Sequence, residues 1–519
     1  AAGTPAAGRP ARSPMRPPGE IEVTPVDAVP NDDLISRIDL ALGSDPRFGD
    51  AAAIETRNLA RHRLGLGVLA RHHPGAAGRL ERLAQAGDAE LRPLMYDPVL
   101  RNAFENDLTA LERGAGRTGA LAGFLESGVA DTLDGVGPCE RLSEPRVRPW
   151  PGAVSWVWTD LHPSSGPERE LSARLEELLA GTLSQEGSGG RVRPDAGLLS
   201  ALTRAAALLG ELLPRTGAGV LPHVSLTGFV RDELADGALN SISGGDPLPS
   251  ALFLAPERLD DPWTAAETLF HEGLHLKLFD VLRTGSMVAD ADQMVPIPWR
   301  VRPWTLTRVL FALHVYAHLL LFQAAAAAAS PAVRSRYGTP PATAFADRAT
   351  PGSPAAAEGT HTTGLERVAY LARQAALAYG EGLTDNGRRF VDWLVGAVSP
   401  LAPGHLPEPA PSRPAQARPD VRPDVRPEVE LEARGYRQAR PVHVCPIPEQ
   451  GQLVAVSPGT PRFQWLNGHA WLLYALCDGG DLTSLRARYR EAAGPDADAG
   501  LGTGLAGLLS AGLIEPVGA

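Results

Sequence analysis

Cysteine is scarce in this chain. Three residues, Cys139, Cys445 and Cys477, stand among 519, an odd number with no CxxC pair. That argues against a disulfide scaffold and a cysteine-ligated zinc site, and it predicts a reducing, cytoplasmic compartment. Long apolar runs are missing too. The nearest approach, 309–329, follows Arg308 and is interrupted by His314, His318 and Gln323, short of the roughly 18 apolar residues a membrane span needs. The N-terminal stretch AAGTPAAGRPARSPMRPPGE has no apolar core of the kind a secretory signal carries. Excess positive charge is absent: the net charge of −11 speaks against a nucleic acid bound through a broad basic surface. Lysine is reduced to Lys277 alone, in a chain rich in Ala, Gly and Pro, a bias of composition from which no chemistry follows.

What is present describes an ordinary globular protein, 44 % apolar and 21 % charged, long enough for two or three domains. Residues 1–32 are Pro/Ala/Arg-rich and predicted to be disordered. From 33 to about 133 apolar residues recur at three and four, a helical spacing. AVSWVWTDL, HVSLTGFV and SALFLA read as strands, and Trp304–Ala329 and Leu365–Val398 as helix, with a low-complexity loop over Ser330–Thr363 between them. Proline recurs through 399–435, where the repeated RPDV suits an extended linker. Residues 436–519 read as an independent small domain. The expectation is a mainly α protein with minor β: a helical catalytic domain over 33–398, a linker over 399–435, and a small α+β domain.

The densest chemistry lies in TLFHEGLHLKLFD. His271 and His275 are four residues apart, so on a helix both imidazoles share a face and can reach one metal ion. Glu272, rotated off that face, can bind the open side of the metal, handle a proton or orient a ligand. Asp261-Pro262 supplies an N-cap and first-turn proline, and Trp263, Ala266, Leu269, Phe270, Leu274, Leu278 and Leu282 an apolar stripe. The bland alternative is a pair of core histidines satisfied by their surroundings.

A metal held by two histidines needs a third protein ligand. His314 and His318, again four apart in LTRVLFALHVYAHLLLF, are candidates, as is Glu381 with Asp385 in EGLTD. Asp280 is too near along the same helix to bend back. The extended HExxHxxGxxH zinc pattern is absent, with Leu278 and Val281 at its last two fixed positions. A zinc metallopeptidase using Glu272 as general base would therefore depend on Glu381.

Two further segments follow the motif: Trp299-Arg300-Val301-Arg302-Pro303 and Leu313-His314-Val315-Tyr316-Ala317. In this order the three elements resemble the HExxH-motif peptide-modification family, the 2-oxoglutarate-dependent peptide β-hydroxylases of ribosomal peptide pathways. The resemblance covers roughly 220–398, and the two arginines stand one residue closer than in that family's pattern. It implies iron(II), dioxygen and 2-oxoglutarate as cofactor and cosubstrates, with zinc the alternative metal. Iron(II) oxygenases take three protein ligands on one face, which His271, His275 and His314 can supply, or the histidine pair with Glu272. Arginine suits the distal carboxylate of 2-oxoglutarate: Arg302 first, then Arg300, then Arg308. Ser241 or Ser243 can add a hydroxyl. Trp299 and Trp304 read more simply as core residues, His318 as a packing residue, and His72, His73 and His361 as loop residues without special roles.

The C-terminal stretch resembles a PqqD-like domain, the winged-helix module that recognises leader peptides. The residues that carry this are Asn467 at a helix N-cap, the turn Leu476-Cys477-Asp478-Gly479, and the ending Leu509-x-x-x-Leu513-Ile514. The resemblance implies that a precursor's leader adds a strand to the module's sheet, while the linker keeps the captured peptide near the metal. The expected activity is hydroxylation of a side-chain carbon in a ribosomally made precursor peptide. A zinc peptidase and a non-catalytic peptide-binding partner are the alternatives. His314 near the histidine pair would favour the oxygenase, and Glu381 there the peptidase.

Overall fold

A computed structural model describes residues 31–114, 119–127, 136–144, 146–151, 154–182, 190–231, 233–234, 237–238, 241–341, 353–407, 433–440, 443–457, 460–494 and 498–517. The protein is mainly α with minor β. Its sheets are small, and the largest positions the histidine motif. In that sheet Trp156–Val157, Leu226–Arg231 and Ala251–Leu254 run parallel in this order, and Ser241–Ser243 pairs antiparallel on the outside. The central strand LTGFV is buried on both faces, as parallel strands covered by helices are. Gly228 fits there because a Cβ would stand 2.5 Å from the ring of Phe253 on the next strand.

Each sheet face serves a different core. Phe229, Leu252 and Leu254 pack with the helices that carry the motif, whereas Leu226, Val230, Ala251 and Phe253 pack against Leu171, Leu175 and Leu179 of the helix Gly166–Thr182. The motif helix, Pro262–Leu282, begins as its sequence predicts: Asp261 caps it by accepting from Thr264 N at 2.7 Å, and Pro262 occupies the first turn. It packs between Ala196–Leu212 and Leu306–Ala327, here termed the buttress helix. The buttress helix is long and apolar enough to cross a membrane by length and composition, its histidines and glutamine being uncharged interruptions. Yet 83 % of its most apolar window is buried within the protein, which makes it a core helix. A second helical cluster, around Leu69, Leu80, Leu91 and Phe104, is built on the 22-residue helix Ala51–His72, the docking helix.

Several expected boundaries move. Ser330–Thr363 is not all loop: Ser330 caps a short helix, Pro331–Tyr337, and Ser353 another, Pro354–Glu358. Both are Ser-Pro starts, a helix signal that the low complexity of the segment obscures. Leu365–Val398 divides into Gly364–Arg373 and Asp385–Val398, separated by a π-helical turn, Gln374–Ala378, and a short 3₁₀ turn. The strand expected in AVSWVWTDL is only Trp156–Val157. The expected disordered N-terminus lies almost wholly outside the described residues, as do residues 408–432 of the expected linker. Its first residues belong to the larger core, against which Leu401 and Leu406 pack.

The C-terminal unit holds a hairpin sheet of His443–Ile447, Gln452–Ser457 and Thr460–Leu466, and the helices Gly468–Leu476, Leu482–Ala493 and Asp498–Ser510. Asn467 caps the first helix as expected. The Cys-Asp-Gly turn is instead a short strand, Asp478–Asp481, in a second sheet with Gly435–Gln438 and Ile514–Val517. This unit does not hang free. Ile447, Val454 and Val456 form one apolar cluster with Ala60, Leu64 and Val68 of the docking helix. Gln450 accepts from Arg57 Nη1 at 2.7 Å and donates to Ala53 O at 2.9 Å, and the Arg61 guanidinium lies 5.0 Å from the centre of the Phe463 ring.

Candidate metal centre

On the motif helix His271 and His275 share the half-buried face, and their Nε2 atoms stand 3.2 Å apart. Two nitrogens bound at about 2.0–2.1 Å to one ion are separated by about 3 Å, so the pair has the bite of a chelate. The same separation also suits a hydrogen bond between the rings. Glu272 is buried and accepts from Ser241 Oγ at 2.7 Å. Ser243, two residues along the same strand, lies half-buried on the same face. Gly273 lets the helix sit against the 3₁₀ turn Ala218–His223, where a Cβ would meet Val220 Cγ2 at 2.9 Å.

The face of the buttress helix opposite the histidines is aromatic and then cationic. Phe311 lies 5.8 Å from the His275 ring and 4.6 Å from Phe279. One turn earlier, the Arg308 guanidinium stands 4.7 Å from the centre of the Trp304 ring, and that of Arg300 stands 5.8 Å from it. Partial burial, and then the repulsion of Arg300, pull Arg308 below its ordinary value. Arg302 is exposed, between the exposed Val301 and Pro303. Trp299 is fully buried beneath the Arg367 guanidinium at 5.1 Å, and Trp304 is also buried.

The candidates for a third ligand lie elsewhere. His314 is sealed in the core beside His318, Phe390 and Trp393, with Nδ1 unpartnered. Burial, followed by the repulsion of His318, Lys277 and His275, holds it well below the ordinary histidine value, hence neutral. His318 Nδ1 donates to His314 O at 2.8 Å, and burial lowers its ring to about 3. Glu381 is exposed on the turn Gly380–Gly382, and Asp385 pairs with Arg388 at the start of the next helix. Among the described residues no three His, Cys, Asp or Glu side chains converge closely enough to hold an ion. The motif therefore offers a two-histidine chelate, with neither His314 nor Glu381 brought into a triad.

Sequence reading missed the anchorage of the motif helix. Asp280, nine residues after His271, accepts from Arg101 Nη2 at 2.5 Å and stands 2.6 Å from His223 Nδ1, all three buried. Arg101 holds the Asp280 carboxyl below its ordinary value against the opposing effect of burial. Lys277 is buried on the side away from the chelate, donates to Gly49 O, and is lowered by burial to about 8. These partners come from 57 to 228 residues away, a separation that no local motif reveals. Glu267, one turn before His271 on the same face, has Oε1 buried without a partner, and burial raises its carboxyl to about 7.

No protein-family model and no curated protein matches the chain.

Proposed function

We propose that the protein is an iron(II)- and 2-oxoglutarate-dependent hydroxylase of a peptide side chain. The observation that carries this reading is the 3.2 Å approach of the two Nε2 atoms on a half-buried helix face beside a held carboxylate. His271 and His275 would hold the metal. Bound there, iron(II) with 2-oxoglutarate and dioxygen supplies hydroxylation of a C–H bond, leaving succinate and carbon dioxide. Iron(II) oxygenases take three protein ligands and leave three positions for a bidentate cosubstrate and a gas. A third donor, Glu272 beside the pair being the nearest in sequence, would therefore have to turn to the metal on binding. Arg300, half-buried against Trp304, suits the distal carboxylate better than Arg302 and Arg308, which are both exposed. Phe311 links that end of the face to His275. Glu272, fixed by Ser241, orients polar groups beside the pair. Phe279 and Phe311 exclude water from its flank.

The docked C-terminal unit supports a peptide substrate through its resemblance to leader-recognition modules. Its attachment to the docking helix would then present the captured chain from a fixed position.

The test is anaerobic loading with iron(II), followed by oxygen, 2-oxoglutarate and a ribosomally made precursor peptide. Gain of one oxygen atom by the peptide with stoichiometric succinate is the expected result. Zinc-dependent cleavage that ignores 2-oxoglutarate would overturn the proposal in favour of a peptidase.

A further inference from the structure

The strand Ser241–Ser243 ends the sheet that carries the motif helix. Among the described residues it pairs with Ala251–Leu254 alone, in the register Ser241↔Leu254, Ile242↔Phe253 and Ser243↔Leu252. Gly244 N donates to Ala251 O at 2.8 Å, which makes 244 and 251 a hydrogen-bonded pair. Antiparallel ladders alternate, so Ile242 with Phe253 is the next such pair. The N–H and C=O groups of Ser241 and Ser243 therefore point away from Ala251–Leu254, toward an edge that no described strand covers. Their side chains face the motif helix, where Ser241 Oγ holds Glu272 next to His271, while Ile242 packs into the opposite core.

Exposed sheet edges are ordinarily protected by short length, a charge, a proline or a bulge. This one is short, at three residues, but it reads Ser-Ile-Ser without charge or proline, is regular through its three pairs, and remains half-buried. Two outward donor–acceptor sets, separated by two residues of strand, match the backbone of an extended polypeptide and no smaller ligand so well.

We infer that this edge is the docking line of the substrate. An extended peptide pairs with the backbone of Ser241 and Ser243 and so lays its side chains across the His271–His275 face. The inference rests on the reading that the site binds a metal and acts on a peptide, and it adds how the peptide is held. Selectivity along such an edge comes from side chains at alternate positions, because backbone pairing is blind to sequence.

The experiment uses the full chain loaded with cobalt(II), whose visible spectrum reports ligands reaching the metal. Three probes are compared: acetohydroxamate, a hydroxamate-capped Ala-Val-Ala peptide, and the same peptide N-methylated at every amide. The plain peptide should bind about tenfold more tightly than its N-methylated form, the effect of losing a pair of backbone hydrogen bonds. Ser243→Pro removes an outward N–H without touching the inner ladder, a change edge strands accept. It should load cobalt normally and bind acetohydroxamate normally, yet bind the plain and the N-methylated peptides each about fivefold more weakly than the wild type, the effect of losing one N–H donor to a peptide carbonyl. Equal affinity for plain and N-methylated peptides in the wild type overturns the inference, whatever the folding of the variant. So does a folded Ser243→Pro that binds the plain peptide as tightly as the wild type. Failure of acetohydroxamate to bind overturns the metal reading beneath it, a distinct result.

Discussion

At the scale of residues, the decisive geometry is the pair of Nε2 atoms on one helix face, and its neighbours separate by environment. His271 and His275 are half-buried with their Nε2 atoms 3.2 Å apart, whereas His314 is sealed and neutral. His271→Ala or His275→Ala should lower metal affinity by more than the roughly 10–100-fold that loss of a ligand's hydrogen-bonding partner costs, since a donor itself is removed. His314→Gln should instead lower stability while leaving affinity within a few-fold. Isothermal titration with cobalt(II), beside urea unfolding, tells the two apart, and a His314→Gln protein that loses metal while keeping its stability would restore that residue as a ligand. Glu267 makes a pH prediction. Its folded value of about 7 lies above the ordinary 4.5, so between these values the folded protein holds a proton that the unfolded chain has released. Stability from this group is complete below about 4.5 and is lost as pH rises through 7, on the order of 2–3 kcal/mol in all. Glu267→Gln should flatten that part of the stability–pH curve, and an unchanged slope would refute the assignment.

At the scale of elements, the motif helix is held by charge as well as by packing. Arg101, Asp280 and His223 join three segments in the buried interior. Breaking one member of a buried pair strands its partner, so Asp280→Asn should cost about 3–5 kcal/mol in chemical denaturation. A cost under 1 kcal/mol would mean that the network is dispensable. This anchorage also marks what the sequence could and could not reveal. The motif helix was legible to its first residue because Asp261, Pro262 and the apolar stripe are local signals. The strands flanking it were legible as apolar runs. Asp280 was visible only as a residue unable to serve the metal, because its partners are set by tertiary packing. The open strand edge was likewise hidden: Ser241 and Ser243 could be suspected as hydroxyls, but which way their backbones point depends on a register with Leu252 and Leu254.

At the scale of the whole molecule, the C-terminal unit is docked rather than merely tethered. Its sheet closes an apolar seam with the docking helix, and Arg57 reaches from Gln450 to Thr284, just beyond the motif helix, at 3.4 Å. Val454→Asp would bury an unpaired charge in that seam at a cost on the order of 3 kcal/mol or more. Small-angle scattering should then record a larger radius of gyration, and proteolysis should release the C-terminal unit sooner. An unchanged scattering curve would show that other contacts hold it. One further consequence follows from Lys277, the single lysine of the chain, sealed at 1 % exposure within the motif helix. Amine-directed chemistry has no lysine to attack while that helix stays packed, so an acylating reagent becomes a reporter: modification at Lys277 times the opening of the helix that carries the histidines.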